Sequence, residues 1–132
     1  MPIFINAILN DEEVIVHGDG SQTRSMGFVT DLVDGTFLAM ESEKALGEII
    51  NLGNTEELSV LDTAKMIHRV ANTGKELKIK FVPMQELFGS YKDIVRRQPD
   101  LSKAQKLLGY APKVTLEEGV RQTLAEVRRR AK

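Results

Sequence analysis

Cysteine is missing from this chain of 132 residues, whereas charged residues of both signs are abundant. Without cysteine the chain has no disulfide, no thiolate nucleophile and no thiolate zinc site. The charges nearly cancel, with 18 lysines and arginines against 19 aspartates and glutamates and a net charge of -1. Such a balance does not indicate a nucleic acid or a membrane surface as the partner. Any anion site must therefore depend on a local cluster of cations.

Long apolar runs are also absent from the sequence. Residues 1–9 are mostly apolar, but this stretch is too short to cross a bilayer. It lacks the basic start and the small-residue cleavage site of a secretion signal, so we expect a cytoplasmic protein. The lack of cysteine fits a reducing compartment. The length and the hydrophobic content of 42% favour a single domain over residues 1–132.

Helical spacing of apolar residues predicts a series of helices. The first covers residues 2–9, and because no capping residue precedes it, it is expected to be a helix entered partway along its length. A second covers residues 31–40, with Asp31 placed where a carboxylate favours a helix N-terminus. Capped or capping-box starts at Ser59, Ser102 and Thr115 predict three more helices. The helix after Ser59 is expected to end at Thr73 and Gly74.

Short strands are predicted over residues 14–16, 26–29, 48–52 and 79–81, where β-branched or alternating residues occur. Gly18, Asp19 and Gly20 separate the first two strands, so these are expected to form a hairpin. This turn lacks the longer glycine pattern and the following helix of a dinucleotide-binding loop, which favours a plain turn. Strands and helices alternate along the chain, and the sequence therefore predicts an α/β fold.

Two groups of arginines are candidates for holding a phosphate, because a guanidinium stays charged and can bind two oxygens at once. Arg24 follows the glycine-rich turn at the edge of a predicted strand, and Arg96 and Arg97 precede Pro99 in an irregular segment. From spacing alone, either group fits a ligand or an ordinary surface charge equally well. His17, at a strand end, could lie against a nucleobase or simply end the strand.

Catalytic and metal chemistry find little support in the sequence. His17 and His68 are its only histidines, and neither has a second imidazole at the spacing of a metal site. His68 is expected to face solvent on its helix. No set of nucleophile, base and orienting group is recognisable. The basic residues 128–132 are expected to be solvated at a helix C-terminus, where they complement the helix dipole, rather than to contact nucleic acid.

The segment from Val14 to Gly35 closely resembles the pattern GDGxQTRxFxxVxDLVxG of the extended short-chain dehydrogenase/reductases that act on nucleotide sugars. Residues 51–54 read NLGN, residues 97–100 resemble RxPD, and residues 108–119 resemble LGWxPxxxLxEGL, all in the family's order. The resemblance covers essentially the whole chain. It implies a nucleotide-sugar epimerase, dehydratase or decarboxylase.

In that family an N-terminal Rossmann domain holds NAD on a glycine-rich turn and carries a catalytic Tyr-x-x-x-Lys pair. This chain has no G-x-x-G-x-x-G, and neither of its two tyrosines precedes a lysine at that spacing. The resemblance therefore implies the C-terminal substrate-binding part, a small mixed α/β lobe normally packed on a Rossmann domain. NAD belongs to the parent enzyme, and the implied ligand is a UDP- or dTDP-linked sugar.

The resemblance also assigns roles to individual residues. Arg24 and Arg97 match arginines that contact the substrate pyrophosphate. Asp100 matches a carboxylate that accepts a hydrogen bond from the ribose, and Ile15 and His17 match positions that line the base pocket, where the family more often has an aromatic residue than histidine. The alternative is a structural piece without catalysis, which self-associates through apolar surface such as residues 49–52.

Overall fold

The computed structural model describes residues 1–83 and 94–130 and confirms an α/β fold. In chain order its elements are α1 (Pro2–Leu9), β1 (Val14–His17), β2 (Thr23–Ser25), α2 (Val29–Glu41), a 3-10 turn (Glu43–Ala45), β3 (Glu57–Ser59), α3 (Val60–Ala71), β4 (Ile79–Val82), β5 (Arg96–Arg97), α4 (Ser102–Leu108) and α5 (Leu116–Arg130). No helix within the described ranges is long and apolar enough to span a bilayer.

The strands form two small sheets. One sheet pairs β1 with β4 in parallel, and the other has the order β3-β2-β5, with β2 antiparallel to β3 and parallel to β5. The predicted hairpin is therefore wrong, because β1 and β2 belong to different sheets. The turn between them lets the chain change sheet: the Gly18 N–H donates to Val82 O, whereas Gly20 O accepts from Leu61 N.

Two of the predicted strands are not formed. The strand predicted over residues 26–29 lies earlier, at Thr23–Ser25, because Met26 packs on the core and α2 already begins at Val29. The strand predicted over residues 48–52 is absent from the described part of the chain. A strand needs a neighbour for its backbone N–H and C=O groups, and sequence pattern alone does not supply one.

The main hydrophobic core lies between α1, β1, α3 and α5. Its largest fully buried side chains are Ile5, Val14, Val16, Ile67 and Val120. The alternation in β1 explains why Val14 and Val16 point inward together, and the helical spacing of α3 and α5 brings their apolar faces to the same layer. This core holds β1 at the base of the candidate site.

The helix ends confirm some of the predicted caps and correct others. Ser59 Oγ accepts from the Asp62 N–H at 2.9 Å, and Thr115 Oγ accepts from the Glu118 N–H at 3.2 Å, as predicted. Helix α3 ends at Ala71, where Asn72 takes a left-handed conformation with φ of 44° in place of the predicted Thr73 and Gly74. The capping box predicted at Ser102 is wrong, because Leu101 occupies the N-cap position and provides no side-chain cap.

The basic end and His68 are more involved in the fold than the sequence indicated. The Arg128 guanidinium donates to Ala71 O, and Arg129 and Arg130 form ion pairs with Glu126. His68 is half-buried rather than facing solvent, and its Nε2 lies 2.7 Å from the carbonyl oxygen of Lys75. Arg128 therefore links α5 to the end of α3, whereas Arg129 and Arg130 remain exposed at the helix C-terminus, as predicted.

Candidate functional site

Arg24 and Arg97 lie side by side on neighbouring strands. Arg24 is the middle residue of β2, Arg97 is the second residue of β5, and the two are register partners in the parallel pair. Neighbouring strands are about 4.8 Å apart, and paired residues project their side chains from the same face of the sheet. Arg24 and Arg97 are 73 positions apart in sequence, and the strand pairing places their side chains next to each other.

Backbone carbonyl groups orient the Arg24 side chain. Its Nη1 donates to the carbonyl oxygens of Thr23 and Ile94, both at 2.7 Å, and the residue is half-buried. One bond links the guanidinium to its own strand, and the other links it to Ile94, two residues before β5 begins. The Arg24 head is consequently held at the junction of β2 and β5.

The Arg97 side chain is exposed, and within residues 1–83 and 94–130 its guanidinium has no hydrogen-bond or ion-pair partner. Its backbone is better fixed, because the strand pairing is joined by a bond from Ser25 Oγ to Arg97 O at 3.4 Å. A charged donor group on a positioned backbone is suited to receive an anion.

Arg96, the preceding residue, is used differently. Its Nε and Nη2 form a bidentate ion pair with Glu57 at 2.9 Å to the nearest oxygen, and Nη2 also donates to Gln98 Oε1 at 2.7 Å. The Thr23 hydroxyl donates to the same carboxylate. The Arg96 guanidinium, followed by the Thr23 hydroxyl, lowers the pKa of Glu57. The segment predicted to be irregular is therefore a short strand in which Arg96 anchors β5 and Arg97 points from the other face.

Asp100 begins the turn into α4. Its Oδ1 accepts from the Ser102 N–H at 2.9 Å, which replaces the cap predicted for Ser102 itself. The Ser102 backbone N–H, followed by the Ser102 hydroxyl, lowers the pKa of the exposed Asp100 carboxyl, so that it stays an ionised acceptor at neutral pH. The Asp100 backbone oxygen accepts from Asn51 Nδ2 at 3.4 Å, which ties this turn to the 48–52 segment.

Ile15 and His17 form a second group, on β1. Their side chains leave the strand on the face opposite the fully buried Val14 and Val16, so Ile15 is 43% exposed and His17 is half-buried. The carbonyl group of His17 accepts from Gln22 Nε2 at 2.9 Å. The structure therefore places the predicted base-pocket residues on one sheet and Arg24 with Arg97 on the other, joined by the turn of residues 18–22.

The turn itself is well defined. Gly18 and Gly20 have φ values of 69° and 75°, a left-handed conformation that other residues rarely adopt. Asp19 Oδ1 accepts from the N–H of Ser21 at 2.9 Å and from its hydroxyl at 2.6 Å. A strand follows this turn, so it does not offer the helix N-terminus on which a dinucleotide phosphate rests. This turn thus differs from the glycine-rich turn that holds NAD in that family.

Asp31 is a structural residue that the sequence reading did not identify as such. It is only 3% exposed, and its two carboxylate oxygens accept from the N–H groups of Lys113 and Val114 at 3.1 and 3.0 Å. Placement near a helix start therefore explains only part of its role. In the sequence, Asp31 is distinguished only by its position within the apolar pattern of α2. That position does not indicate which distant segment the Asp31 carboxylate binds.

Residues 53–57 hold the C-terminal segments in place around the site. Asn54, Glu56 and the Gly53 carbonyl group bind residues 110–116, through Asn54 Nδ2 to Val114 O, Leu116 N to Glu56 Oε2, and Tyr110 Oη to Gly53 O. Gln98 Nε2 in turn donates to Thr55 O at 2.9 Å. One stretch of chain therefore supports both the α4–α5 connection and the segment that carries Arg97.

Among the described residues, no group of three or more histidines, aspartates and glutamates could hold a metal ion. The strand pairing brings together two arginines, and the ionised Asp100 carboxylate follows Arg97 by three residues. Guanidinium groups are suited to a phosphate, and a carboxylate is suited to accept from a hydroxyl group.

Residues 1–123 match the protein family described as GDP-mannose 4,6 dehydratase. This chain belongs to that family. Its members and relatives are the NAD-dependent epimerases, dehydratases and decarboxylases of nucleotide sugars, so the resemblance seen in the sequence motifs is confirmed.

Individual relatives match almost the whole chain. It is 36% identical to the UDP-N-acetyl-alpha-D-glucosaminuronate decarboxylase of Bacillus cytotoxicus, over 94% of this chain and 38% of the relative. It is 39% identical to UDP-glucuronic acid decarboxylase 4 of Arabidopsis thaliana, over 96% of this chain and 27% of the relative. This family member therefore spans about a third of the length of the curated relatives it matches.

A solved structure shares the fold. The UDP-glucuronic acid 4-epimerase from Bacillus cereus, in complex with UDP-glucuronic acid and NAD, superposes with a TM-score of 0.84 and 30% identity. The match covers 96% of this chain and 38% of the epimerase chain. The mixed α/β arrangement is thus that of one part of a nucleotide-sugar enzyme.

Proposed function

We propose that this chain holds the nucleotide-diphosphate end of the substrate in an NAD-dependent nucleotide-sugar epimerase, dehydratase or decarboxylase. The observation that carries the proposal is the register pairing of Arg24 with Arg97 across β2 and β5. A diphosphate is a short dianion with oxygens on both phosphorus atoms, and two guanidinium groups side by side on adjacent strands can contact both phosphates.

The remaining candidate residues fit the same ligand. Asp100 is an ionised acceptor three residues beyond Arg97, which suits a ribose hydroxyl group next to the phosphates. Ile15 offers an apolar side chain, and His17 offers an imidazole ring on the same face of β1, and together they suit the flat surface of a base. The ligand class is a UDP- or dTDP-linked sugar, as for the epimerase whose complex with UDP-glucuronic acid was solved.

The hydride chemistry belongs to the rest of such an enzyme. NAD, when bound there, would accept and return a hydride during the reaction on the sugar. In this proposal the present chain contributes binding and orientation, which lower the barrier by fixing the reacting sugar in place. In this proposal its own residues hold the nucleotide and orient the sugar, and they take no direct part in making or breaking bonds.

The proposal is tested by calorimetric titration with UDP of the chain alone and of a chimera in which it replaces the matched region of the Bacillus cytotoxicus decarboxylase. Arg24→Ala is expected to weaken UDP binding about tenfold to hundredfold, because a charge-assisted contact contributes roughly 1.5 to 3 kcal/mol. We expect this loss of affinity in the chain alone or in the chimera, whichever of the two binds UDP more tightly.

Arg69→Ala is the matched control for this titration. Arg69 is an exposed arginine of α3 whose guanidinium pairs with Glu117 at 2.7 Å, so it has the same charge but no place in the site. UDP affinity should be within about twofold of the unsubstituted protein, since a distant exposed charge is screened by salt. Equal losses for Arg24→Ala and Arg69→Ala would refute a specific contact at Arg24.

A further inference from the structure

Strand β5 is short for the task of holding Arg97 beside Arg24. It consists of two residues and lies at the end of the sheet β3-β2-β5. Next to it, the Thr23 N–H donates to Val95 O at 2.8 Å. A ladder of this length contains few backbone hydrogen bonds, and such a strand is expected to open locally at little cost. Contacts between side chains are therefore needed to keep β5 on β2.

The Glu57 side chain provides such contacts. Glu57 lies on β3, at the other end of the sheet, and its carboxylate reaches across β2 to β5. Its two oxygens both accept from Arg96, with Nε 2.9 Å from Oε1 and Nη2 2.9 Å from Oε2. The Thr23 hydroxyl donates to Oε1 from the middle strand. One side chain, which is only 21% exposed, therefore links all three strands.

These contacts lie on the face of the sheet opposite the arginine pair. Thr23 and Arg96 are register partners, and so are the residues that follow them, Arg24 and Arg97. Because successive side chains of a strand point to opposite faces, the first pair and the second pair leave the sheet on different sides. Glu57 therefore has no direct contact with a ligand held between Arg24 and Arg97, and it can act on that ligand only through β5.

Both chain neighbours of Arg97 are attached to the segment 55–57. Arg96 is held by Glu57, and Gln98 Nε2 donates to Thr55 O at 2.9 Å. Arg96 Nη2 also donates to Gln98 Oε1 at 2.7 Å, which joins the two attachments into one network. The backbone of Arg97 is thus fixed on both sides, while its own guanidinium is left for the opposite face.

We propose that Glu57 is a positioning residue for nucleotide binding, an inference that rests on the proposed function. Through Arg96 it holds β5 on β2, and it thereby keeps the Arg97 guanidinium beside that of Arg24 before the ligand arrives. A binding group that is already in place does not have to be ordered when the ligand binds, and affinity rises accordingly. Glu57 thus contributes to the affinity for the diphosphate without touching it.

Amide hydrogen exchange, followed by NMR on the chain alone, tests the positioning without any ligand. Glu57→Gln keeps the size of the side chain but removes its charge, which weakens the pair with Arg96. The Thr23 amide is expected to exchange at least about threefold faster, because its bond to Val95 O breaks whenever β5 leaves β2. Arg96→Gln should act in the same direction. The amide of the fully buried Ile67 reports unfolding of the whole domain and should change less.

Calorimetric titration with UDP tests the consequence for binding, in the chain alone or in the chimera, whichever binds UDP more tightly. Glu57→Gln is expected to weaken UDP binding at least about threefold, and this loss should vanish when Arg97→Ala is already present. A general structural effect of Glu57 would instead give the same loss with and without Arg97. Glu126→Gln is the matched control and should leave UDP affinity unchanged, because Glu126 forms a similar bidentate pair with Arg129 on α5, outside the site.

The positioning role and the proposed function can fail separately. An unchanged exchange rate of the Thr23 amide in Glu57→Gln would overturn the positioning role, as would equal acceleration of the Thr23 and Ile67 amides. An equal loss of UDP affinity with and without Arg97 would do the same. UDP affinity that is insensitive to Arg97→Ala would refute the proposed function, and exchange of the Thr23 amide would still decide whether Glu57 holds β5 in place.

Discussion

Replacing Asp31 with alanine is expected to lower the free energy of unfolding by about 3 to 5 kcal/mol, because two charge-assisted hydrogen bonds are lost from a buried site. The Asp31 carboxylate is 3% exposed and accepts from the N–H groups of both Lys113 and Val114. Alanine would leave these two part-buried N–H groups without their acceptor and would empty the buried site of the carboxylate. Urea unfolding followed by circular dichroism measures the change.

Asp34→Ala is the control for that measurement. Asp34 lies three residues further along α2 and is exposed, so its removal should change the free energy of unfolding by less than about 0.5 kcal/mol. If the two substitutions destabilise the protein equally, the contacts between Asp31 and the α4–α5 connection do not contribute to stability in the way argued.

Substituting both Arg24 and Arg97 with alanine is expected to weaken UDP binding by about a hundredfold or more, since each contact contributes roughly tenfold to hundredfold. The two residues are register partners, so their effects should not be strictly additive. Titration calorimetry of the double variant and both single variants, at two salt concentrations, measures the affinities and their coupling. The unsubstituted protein should lose more affinity with added salt than the double variant does, because fewer charged contacts remain in the latter.

A folding defect would also lower the affinity for UDP. Circular dichroism distinguishes such a defect from the removal of the arginine contacts with the phosphates. Arg97 is exposed and its guanidinium has no partner within the described residues, so Arg97→Ala should leave the unfolding transition unchanged. A double variant that is folded and binds UDP as tightly as the unsubstituted protein would contradict a role for these arginines.

The sequence predicted helices better than strands, for a physical reason. The caps at Ser59 and Thr115 and the helical spacing after them depend on residues close in sequence, and both helices form as predicted. The partner of a strand is set by residues far away. Residues 14–16 were correctly predicted as a strand, but their partner is β4 at positions 79–82 rather than the neighbouring strand in sequence.

The strand predicted over residues 48–52 shows the same limit in a segment that is not paired in the described part of the chain. Its β-branched residues Ile49 and Ile50 are typical of a strand, yet in the described part of the chain it has no neighbour. The local sequence thus indicates a segment suited to pairing and carries no information on a partner strand.

The family motifs indicate candidate residues for the site, but they do not indicate how those residues are arranged in space. Family motifs pointed to Arg24, Arg97 and Asp100, but nothing in the spacing indicated that Arg24 and Arg97 would be register partners or that Arg96 would be tied to Glu57. Asp31 was read as an ordinary helix-start carboxylate, because the backbone groups it binds lie 82 and 83 residues away.

We propose that this chain recognises the diphosphate of a nucleotide sugar through Arg24 and Arg97. The most direct test compares the affinities for UDP and for uridine, measured by calorimetry on the chain and on the chimera. We expect UDP to bind at least about a hundredfold more tightly than uridine in the form that binds better, since two charged contacts depend on the phosphates. Equal affinities for UDP and uridine would contradict the claim.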